Sequence, residues 1–131
     1  MKKFLFILAF AVVSVAAFAQ TPYKTYCEIV GTGNILGTKI KSVEVDMGQA
    51  VNYNFWKVEN SRVLADENGE KIEFNSMMDA VNFFGRLGWR LHSTYAITEN
   101  SMGGKVNVYH YIFEKEVTDD KQAMEGIYFK K

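Results

Sequence analysis

The residues with the greatest chemical potential in this sequence are its two histidines, His92 and His110, and its single cysteine, Cys27. An antiparallel register that places His92 opposite His110 would bring both onto one sheet face, close enough to bind one metal ion. A one-residue slip would separate them onto opposite faces. Zinc requires three or four ligands, and no Cys, Asp or Glu is spaced to complete the set. The histidines are therefore weak candidates for metal ligands, and the sequence predicts neither a metal site nor a cofactor.

Cys27 has two interpretations, a buried small hydrophobic side chain or an exposed thiol. Its position in an alternating strand pattern favours burial. Nucleophilic catalysis also needs a base, an orienting group and an oxyanion hole, and no spacing in the sequence indicates them. The acidic residues Glu114, Glu116, Asp119 and Asp120 are predicted to be solvated charges and not a catalytic acid–base pair. The sequence gives no positive case for an enzyme.

Two groups of aromatic residues are candidates for a ligand or partner surface. Tyr53, Phe55 and Trp56 stand among amides in a segment without clear periodicity, and large rings there either cover the core or stack on a ligand such as a sugar. The second group lies on one face of a strand, and a sheet face with exposed rings attracts a partner. This second group consists of Tyr109, Tyr111 and Phe113.

One helix must position these residues, and its start and stop signals can both be identified. Ser76 is predicted to cap a helix over residues 77–87 together with Asp79, because the hydroxyl and carboxylate can accept backbone N–H groups that lack helical partners. Gly88 can adopt the positive φ that ends a helix. The predicted apolar stripe consists of Met77, Ala80, Val81, Phe84 and Leu87.

The remaining segments read as strands. The predicted strands are 23–30, 39–46, 62–65, 71–74, 89–97 and 106–115, with breaks at 31–38 and 98–104. Asn68-Gly69 is a favoured tight-turn pair, so 62–65 and 71–74 are expected to form a hairpin. Between 89 and 97, Trp89, Leu91, Tyr95 and Ile97 alternate with polar residues, which predicts a half-buried strand. Segment 106–115 is apolar on both faces, as in a central strand. The tail can hold one helical turn and a short extended segment.

The N-terminus has the features of a secretory signal peptide. Two lysines precede an apolar run, and Ala17-Phe18-Ala19 forms a small-x-small cleavage site. We therefore expect a signal peptide over residues 1–19, a single domain over 20–131 and a periplasmic or secreted product without stable membrane insertion after cleavage. The whole chain has 15 basic and 15 acidic residues. Because this balance offers no basic surplus, nucleic acid is not an expected partner.

The segment NFFGRLGWRL, residues 82–91, carries a resemblance to a known group of proteins. It resembles small uncharacterised bacterial domains in which a helix ending in G-x-x-G-W-E-L runs into a hairpin. DENG at 66–69 and VYHY at 108–111 resemble exported members from Bacteroides-type bacteria. The resemblance covers about residues 60–115 and departs at Arg90, where an acidic residue is usual. It implies a compact sheet with one packed helix and implies no activity.

Together these observations predict an α+β domain, with a mainly antiparallel β-sheet and one principal helix packed on one face. The expected function is that of an exported, non-catalytic interaction module. In the first hypothesis it self-associates or binds another envelope protein through the sheet face that the helix leaves uncovered, with Tyr23, Tyr26 and Tyr128 contributing. The alternatives are a small carbohydrate- or peptide-binding protein and an uncharacterised hydrolase.

Overall fold

The computed structural model describes residues 20–34, 39–48, 53–54, 57–58 and 62–130. The elements in this part of the chain are β1 (Tyr23–Gly33), β2 (Ile40–Asp46), β3 (Tyr53–Asn54), β4 (Lys57–Val58), β5 (Leu64–Ala65), α1 (Met77–Arg86), β6 (Arg90–Ser101), β7 (Gly104–Val117), α2 (Asp120–Ala123) and β8 (Tyr128–Phe129). Strands β2, β1, β7 and β6 form, in that order, one antiparallel sheet. Strands β3 and β4 pair with each other, and β5 pairs with β8. The predicted α+β class is confirmed.

Helix α1 covers one face of the four-stranded sheet. Strand residues alternate between the two faces, and the residues that face the helix include Cys27 and Ile29 of β1 and Phe113 of β7. The Phe84 ring of the helix packs 5.3 Å, centre to centre, from Phe113, and both side chains have no exposed surface. We call the opposite side of this sheet the open face. It follows that the core lies between α1 and the central strands β1 and β7.

Both ends of α1 are capped as the sequence predicts. The Ser76 hydroxyl accepts the Asp79 backbone N–H at 3.2 Å, and the Asp79 carboxylate accepts the N–H of Asn75 at 3.1 Å. At the other end, Gly88 has φ +85° and its N–H donates to the carbonyl of Gly85, while the N–H of Trp89 donates to that of Phe84. These two bonds form a Schellman motif, which satisfies carbonyls that the helix leaves unpaired.

Strand β1 is longer than predicted, because Gly31-Thr32-Gly33 continues the strand instead of breaking it. A Cβ atom built on Gly31 would lie 2.1 Å from the sulfur of Met77. Glycine at this position therefore lets the start of α1 approach the sheet closely. Residues 35–38, the rest of the predicted break, lie outside the described residues.

The hairpin of β6 and β7 differs from the prediction in two ways. Both strands extend to a short turn at Met102-Gly103, so Thr98 to Ser101 are strand and not a break. A β-bulge at His92 also shifts the register between Leu91 and Ser93. Leu91 lies opposite Phe113 on the helix side, whereas Tyr95 lies opposite His110 on the open face. The prediction that Trp89, Leu91, Tyr95 and Ile97 share one face is therefore wrong, because the extra residue reverses the alternation.

The segment before α1 forms the predicted turn, and the predicted hairpin is shortened to two backbone hydrogen bonds, from Asp66 N–H to Glu70 and from Ile72 N–H to Leu64. Gly69 has φ +83°, and the Asp66 carboxylate accepts the N–H groups of Asn68 and Glu70. Beyond the turn, pairing is limited to a single bridge between Ala65 and Lys71. Strand β5 instead pairs with β8 at the end of the chain.

Helix α2 and strand β8 confirm the predicted helical turn and extended segment of the tail. None of the helices in the described part of the chain has the length and apolar character needed to cross a membrane. The predicted signal peptide, residues 1–19, lies outside the described residues.

Candidate interaction surface

The aromatic residues of β7 lie on the helix side of the sheet. Tyr109 and Tyr111 are half-buried against the core, and Phe113 is completely buried within it. Because they occupy alternate positions, all three face α1. Phe113 therefore cannot form part of a surface, and the rings of Tyr109 and Tyr111 are not on the open face.

The other predicted aromatic group falls largely outside the part of the chain that the structure describes. Tyr53 belongs to β3, where it pairs with Val58. Phe55 and Trp56 lie outside the described residues. A ligand surface formed by these three side chains stays a prediction.

The two histidines are not opposite each other. His110 lies opposite Tyr95 and Val30, while His92 is the extra residue of the β6 bulge. Each interacts with its own carboxylate: His110 Nδ1 lies 2.9 Å from Glu28, and His92 Nδ1 lies 3.5 Å from Glu114. Of the two registers left open by the sequence, the structure therefore does not show the one that places His92 opposite His110. Across residues 20–34, 39–48, 53–54, 57–58 and 62–130, no group of three or more His, Cys, Asp or Glu side chains is arranged to hold a metal ion.

Cys27 is buried, as the alternating pattern predicts. Only 3% of the residue is exposed, and it lies opposite Phe113 beneath the helix. Burial raises the pKa of the Cys27 thiol to about 12, because the apolar surroundings disfavour the thiolate. A thiol in this state is neither accessible nor ionised at neutral pH, so Cys27 cannot serve as a nucleophile.

The open face carries a charged cluster around Glu114. Glu114 is only 5% exposed, which contradicts the prediction that it is solvated. Its carboxylate accepts hydrogen bonds from the guanidinium of Arg90 and from Lys24 Nζ, the latter at 3.2 Å. These donors, first Arg90 and then Lys24, lower the pKa of Glu114 below its ordinary value. Arg90 thus supplies a cation that neutralises Glu114.

A second polar group on the same face joins three strands. The ring of Tyr95 stacks on that of His110, with centres 4.5 Å apart and planes 3° from parallel. The Tyr95 hydroxyl donates to Glu28 at 3.0 Å, and this hydrogen bond raises the pKa of Tyr95. Glu28 thereby connects β1 to both β7 and β6. The centre of the open face therefore holds paired charges beside two partly exposed rings, those of Tyr26 and Tyr95, which are 49% and 47% exposed.

The most exposed part of the sheet is strand β6 itself. It forms one edge of the four-stranded sheet, and all twelve of its residues are exposed. Its apolar side chains include Leu91 on the helix side, and Tyr95 and Ile97 on the open face, with 39%, 47% and 46% exposure. An edge strand has one row of backbone N–H and C=O groups without sheet partners. β6 therefore offers both backbone hydrogen bonds and apolar surface.

The opposite edge, β2, is partly covered by the chain itself. The N–H of Val45 donates to the carbonyl of Arg62 at 2.8 Å, and Glu44 forms a bridge with Val63. The Arg62 guanidinium also pairs with Asp46 at 2.9 Å. Within the described strands, β6 is thus the edge with the longer open backbone.

A separate cleft opens where the start of α1 meets the ends of β1 and β7. Its volume is about 360 Å³. Tyr109 and Tyr111 form its apolar wall, while Lys39 and Lys105 supply positive charge. The structure therefore brings two of the predicted aromatic residues into a concave site of mixed polarity.

Comparisons with known proteins identify a domain but assign no activity. No curated protein and no solved structure matches the chain significantly. The region that matches contains α1, β6 and all of β7 except Val117, whereas strands β1 and β2 of the same sheet lie outside it. Residues 52–116 match a domain of unknown function, DUF4177.

Proposed function

We propose that this protein is exported and acts as a non-catalytic interaction module, which binds another polypeptide along the β6 edge by strand addition. The observation that carries this proposal is the exposure of β6 over its whole length at an open edge of the sheet. In strand addition, backbone hydrogen bonds supply affinity and side-chain contacts supply specificity. β6 has the length and extended geometry for this mode of binding.

The side chains of β6 favour this edge, and not the centre of the open face, as the binding surface. A strand added beside β6 would cover part of Leu91 on one side and of Tyr95 and Ile97 on the other. Burial of apolar surface contributes roughly 25 cal/mol per Å². The centre of the open face instead holds Glu114 and Glu28 with their cationic and polar partners. A partner there would have to desolvate existing ion pairs.

A non-catalytic role is supported by the state of the reactive side chains. The thiol of Cys27 is buried, and the two histidines each contact a carboxylate on a different part of the sheet. Export is supported by the sequence of residues 1–19. An exported domain with a lone buried cysteine would derive its stability from packing and not from an internal disulfide.

Binding at β6 can be tested with a synthetic peptide of alternating valine and threonine residues flanked by lysines. We expect this peptide to shift the backbone NMR signals of Arg90–Ser101 in the isotope-labelled protein. Ile97→Lys should weaken the effect, because a lysine on an edge strand opposes pairing. Ser42→Lys, on the other edge strand β2, is the matched control and should leave it unchanged. Signal changes elsewhere, or none at β6, would contradict the proposal.

A second candidate function is the binding of a small carbohydrate or peptide in the cleft beside α1. Tyr109 and Tyr111 favour it, because tyrosine rings combine an apolar surface with a hydroxyl group. Titration with a disaccharide such as cellobiose should then perturb the NMR signals of these two rings. Lys105→Ala and Tyr109→Phe test whether charge or the hydroxyl contributes. If saturating disaccharide perturbs neither ring, carbohydrate binding in the cleft is excluded.

A further inference from the structure

Strand β6 carries opposite charges near its two ends. Arg90 is its first residue and Glu99 lies near its last, and between them stand no other Lys, Arg, Asp or Glu residues. Arg90 lies opposite Glu114 of β7, and Glu99 lies opposite Val106. Since residues 106 and 114 are an even number apart on a regular strand, Arg90 and Glu99 share the open face.

The bulge at His92 makes this arrangement possible. Residues 90 and 99 differ by an odd number, so without an extra residue they would point to opposite faces. The shift between Leu91 and Ser93 places both on the same face. A strand added antiparallel to β6 can therefore meet both charges from one side of the sheet.

An antiparallel partner with the same sequence matches this pattern in one register. When a two-fold axis passes beside Tyr95, Ser93 lies opposite Ile97 of the second copy, and His92 remains the extra residue. Leu91 then lies opposite Thr98 of the second copy, and Arg90 lies opposite Glu99 of the second copy. Two-fold symmetry repeats each contact. Moving the axis to a neighbouring residue removes both direct charge pairs.

We propose, building on the proposed function, that the polypeptide bound at β6 is a second copy of this chain, joined antiparallel about a two-fold axis at Tyr95. The two four-stranded sheets then form one continuous sheet, with Arg90 paired across the interface to Glu99 at both ends. The guanidinium of Arg90 is largely exposed although it binds Glu114. Arginine has five N–H donors, so it can bind the second carboxylate without releasing the first.

Cysteine cross-linking tests the register. Directly opposed antiparallel residues have Cα atoms about 4.5–5.5 Å apart, within the roughly 4.4–6.8 Å range of disulfides. Tyr95→Cys should therefore form a covalent dimer under mild oxidation. Ile97→Cys is the matched control, because in this register the two Ile97 positions are separated by about 13 Å along the strands. Cys27 is buried and should not contribute.

Charge reversal tests the pairing without altering Tyr95. Glu99→Arg and Arg90→Glu should each raise the dimer dissociation constant about tenfold, because two exposed ion pairs become like-charge pairs. Mixing the two variants should restore association, since a heterodimer regains an opposite-charge pair at each end. Arg90→Glu also places a negative charge beside Glu114, so Arg90→Gln, which should weaken the dimer less, provides a milder comparison. Thermal melts confirm that each variant is folded.

The outcomes separate this inference from the proposed function. Cross-linking through Tyr95→Cys but not Ile97→Cys, with rescue by mixing, supports the symmetric dimer. Cross-linking through Ile97→Cys instead, or association that ignores both charge reversals, overturns it. A strict monomer at high concentration in light scattering also overturns it. In that last case the peptide titration at β6 still decides whether the edge binds other polypeptides.

Discussion

The end of α1 contains two glycines whose replacement by alanine should have opposite effects on stability. Gly85 lies in the last turn of the helix, is exposed, and has open space around the position of a Cβ atom. Gly88 follows the helix with φ +85°, a conformation that residues with a Cβ atom rarely adopt. The two positions are three residues apart, so each serves as the control for the other.

The expected change in the free energy of unfolding follows from the backbone conformation at each position. Gly85→Ala should stabilise the protein by about 0.5–1 kcal/mol, because alanine favours the helix and loses less entropy on folding. Gly88→Ala should destabilise it by about 1–2 kcal/mol, the cost of a left-handed alanine. The new methyl at Gly88 would lie 3.5 Å from Lys115 Cε, an ordinary contact. No clash therefore adds to the cost of the backbone conformation.

Urea denaturation followed by circular dichroism measures both free energies of unfolding. For a chain of 131 residues, a change of 1 kcal/mol corresponds to about 3–5 °C in the melting temperature. Gly88→Asn should cost less than Gly88→Ala, because asparagine tolerates the left-handed region. A neutral Gly88→Ala variant would refute the Schellman motif at this helix end. A destabilised Gly85→Ala variant would refute the exposed helical position of Gly85.

Three further predictions concern ionisable groups. The pKa of Glu114 is lowered in the folded state, so the ionised carboxylate stabilises the protein at pH values above its ordinary pKa of 4.5, and this stabilisation is lost as the pH falls through the lowered pKa. Glu114→Gln should therefore reduce the loss of stability at acid pH, measured as the free energy of unfolding against pH. Cys27, with a pKa raised to about 12 from 9.0, should react with iodoacetamide about a thousandfold more slowly in the native protein than in urea, and equal rates would contradict its burial. Tyr23, whose hydroxyl donates to Asp120, should titrate near 12, and Tyr23→Phe should remove that step from an ultraviolet absorbance titration.

The sequence predicts α1 well because its determinants are local. Ser76, Asp79 and Gly88 act on the backbone groups next to them, and their roles do not depend on the rest of the chain. The central position of β7 is also predictable, because apolar residues on both faces are typical of a strand with a neighbour on each side. The structure confirms it between β1 and β6.

The interaction surface could not be predicted in the same way, because its determinants are distant in sequence. One extra residue at His92 reverses the faces of every later residue in β6, and the alternation of Tyr95 and Ile97 with polar residues looks the same in either case. Whether β6 is an edge depends on the order of strands. The exposed aromatic face expected from β7 is wrong for a related reason, since Tyr109 and Tyr111 turn toward α1.

The burial of Glu114 is also a consequence of tertiary structure. In the sequence it belongs to an acidic stretch with Glu116, and only the second of these is exposed. Lys24 and Arg90 come from two neighbouring strands and are separated from Glu114 by 90 and 24 positions along the chain.

Hydrogen exchange as a function of protein concentration tests most directly whether the open edge of β6 is a binding surface. At low concentration, the amides of Arg90–Ser101 that point away from β7 should exchange rapidly. The symmetric dimer predicts that these amides become protected as the concentration rises, while the amides of β2 do not change. Equal exchange in β6 at all concentrations, or new protection confined to β2, would contradict the account.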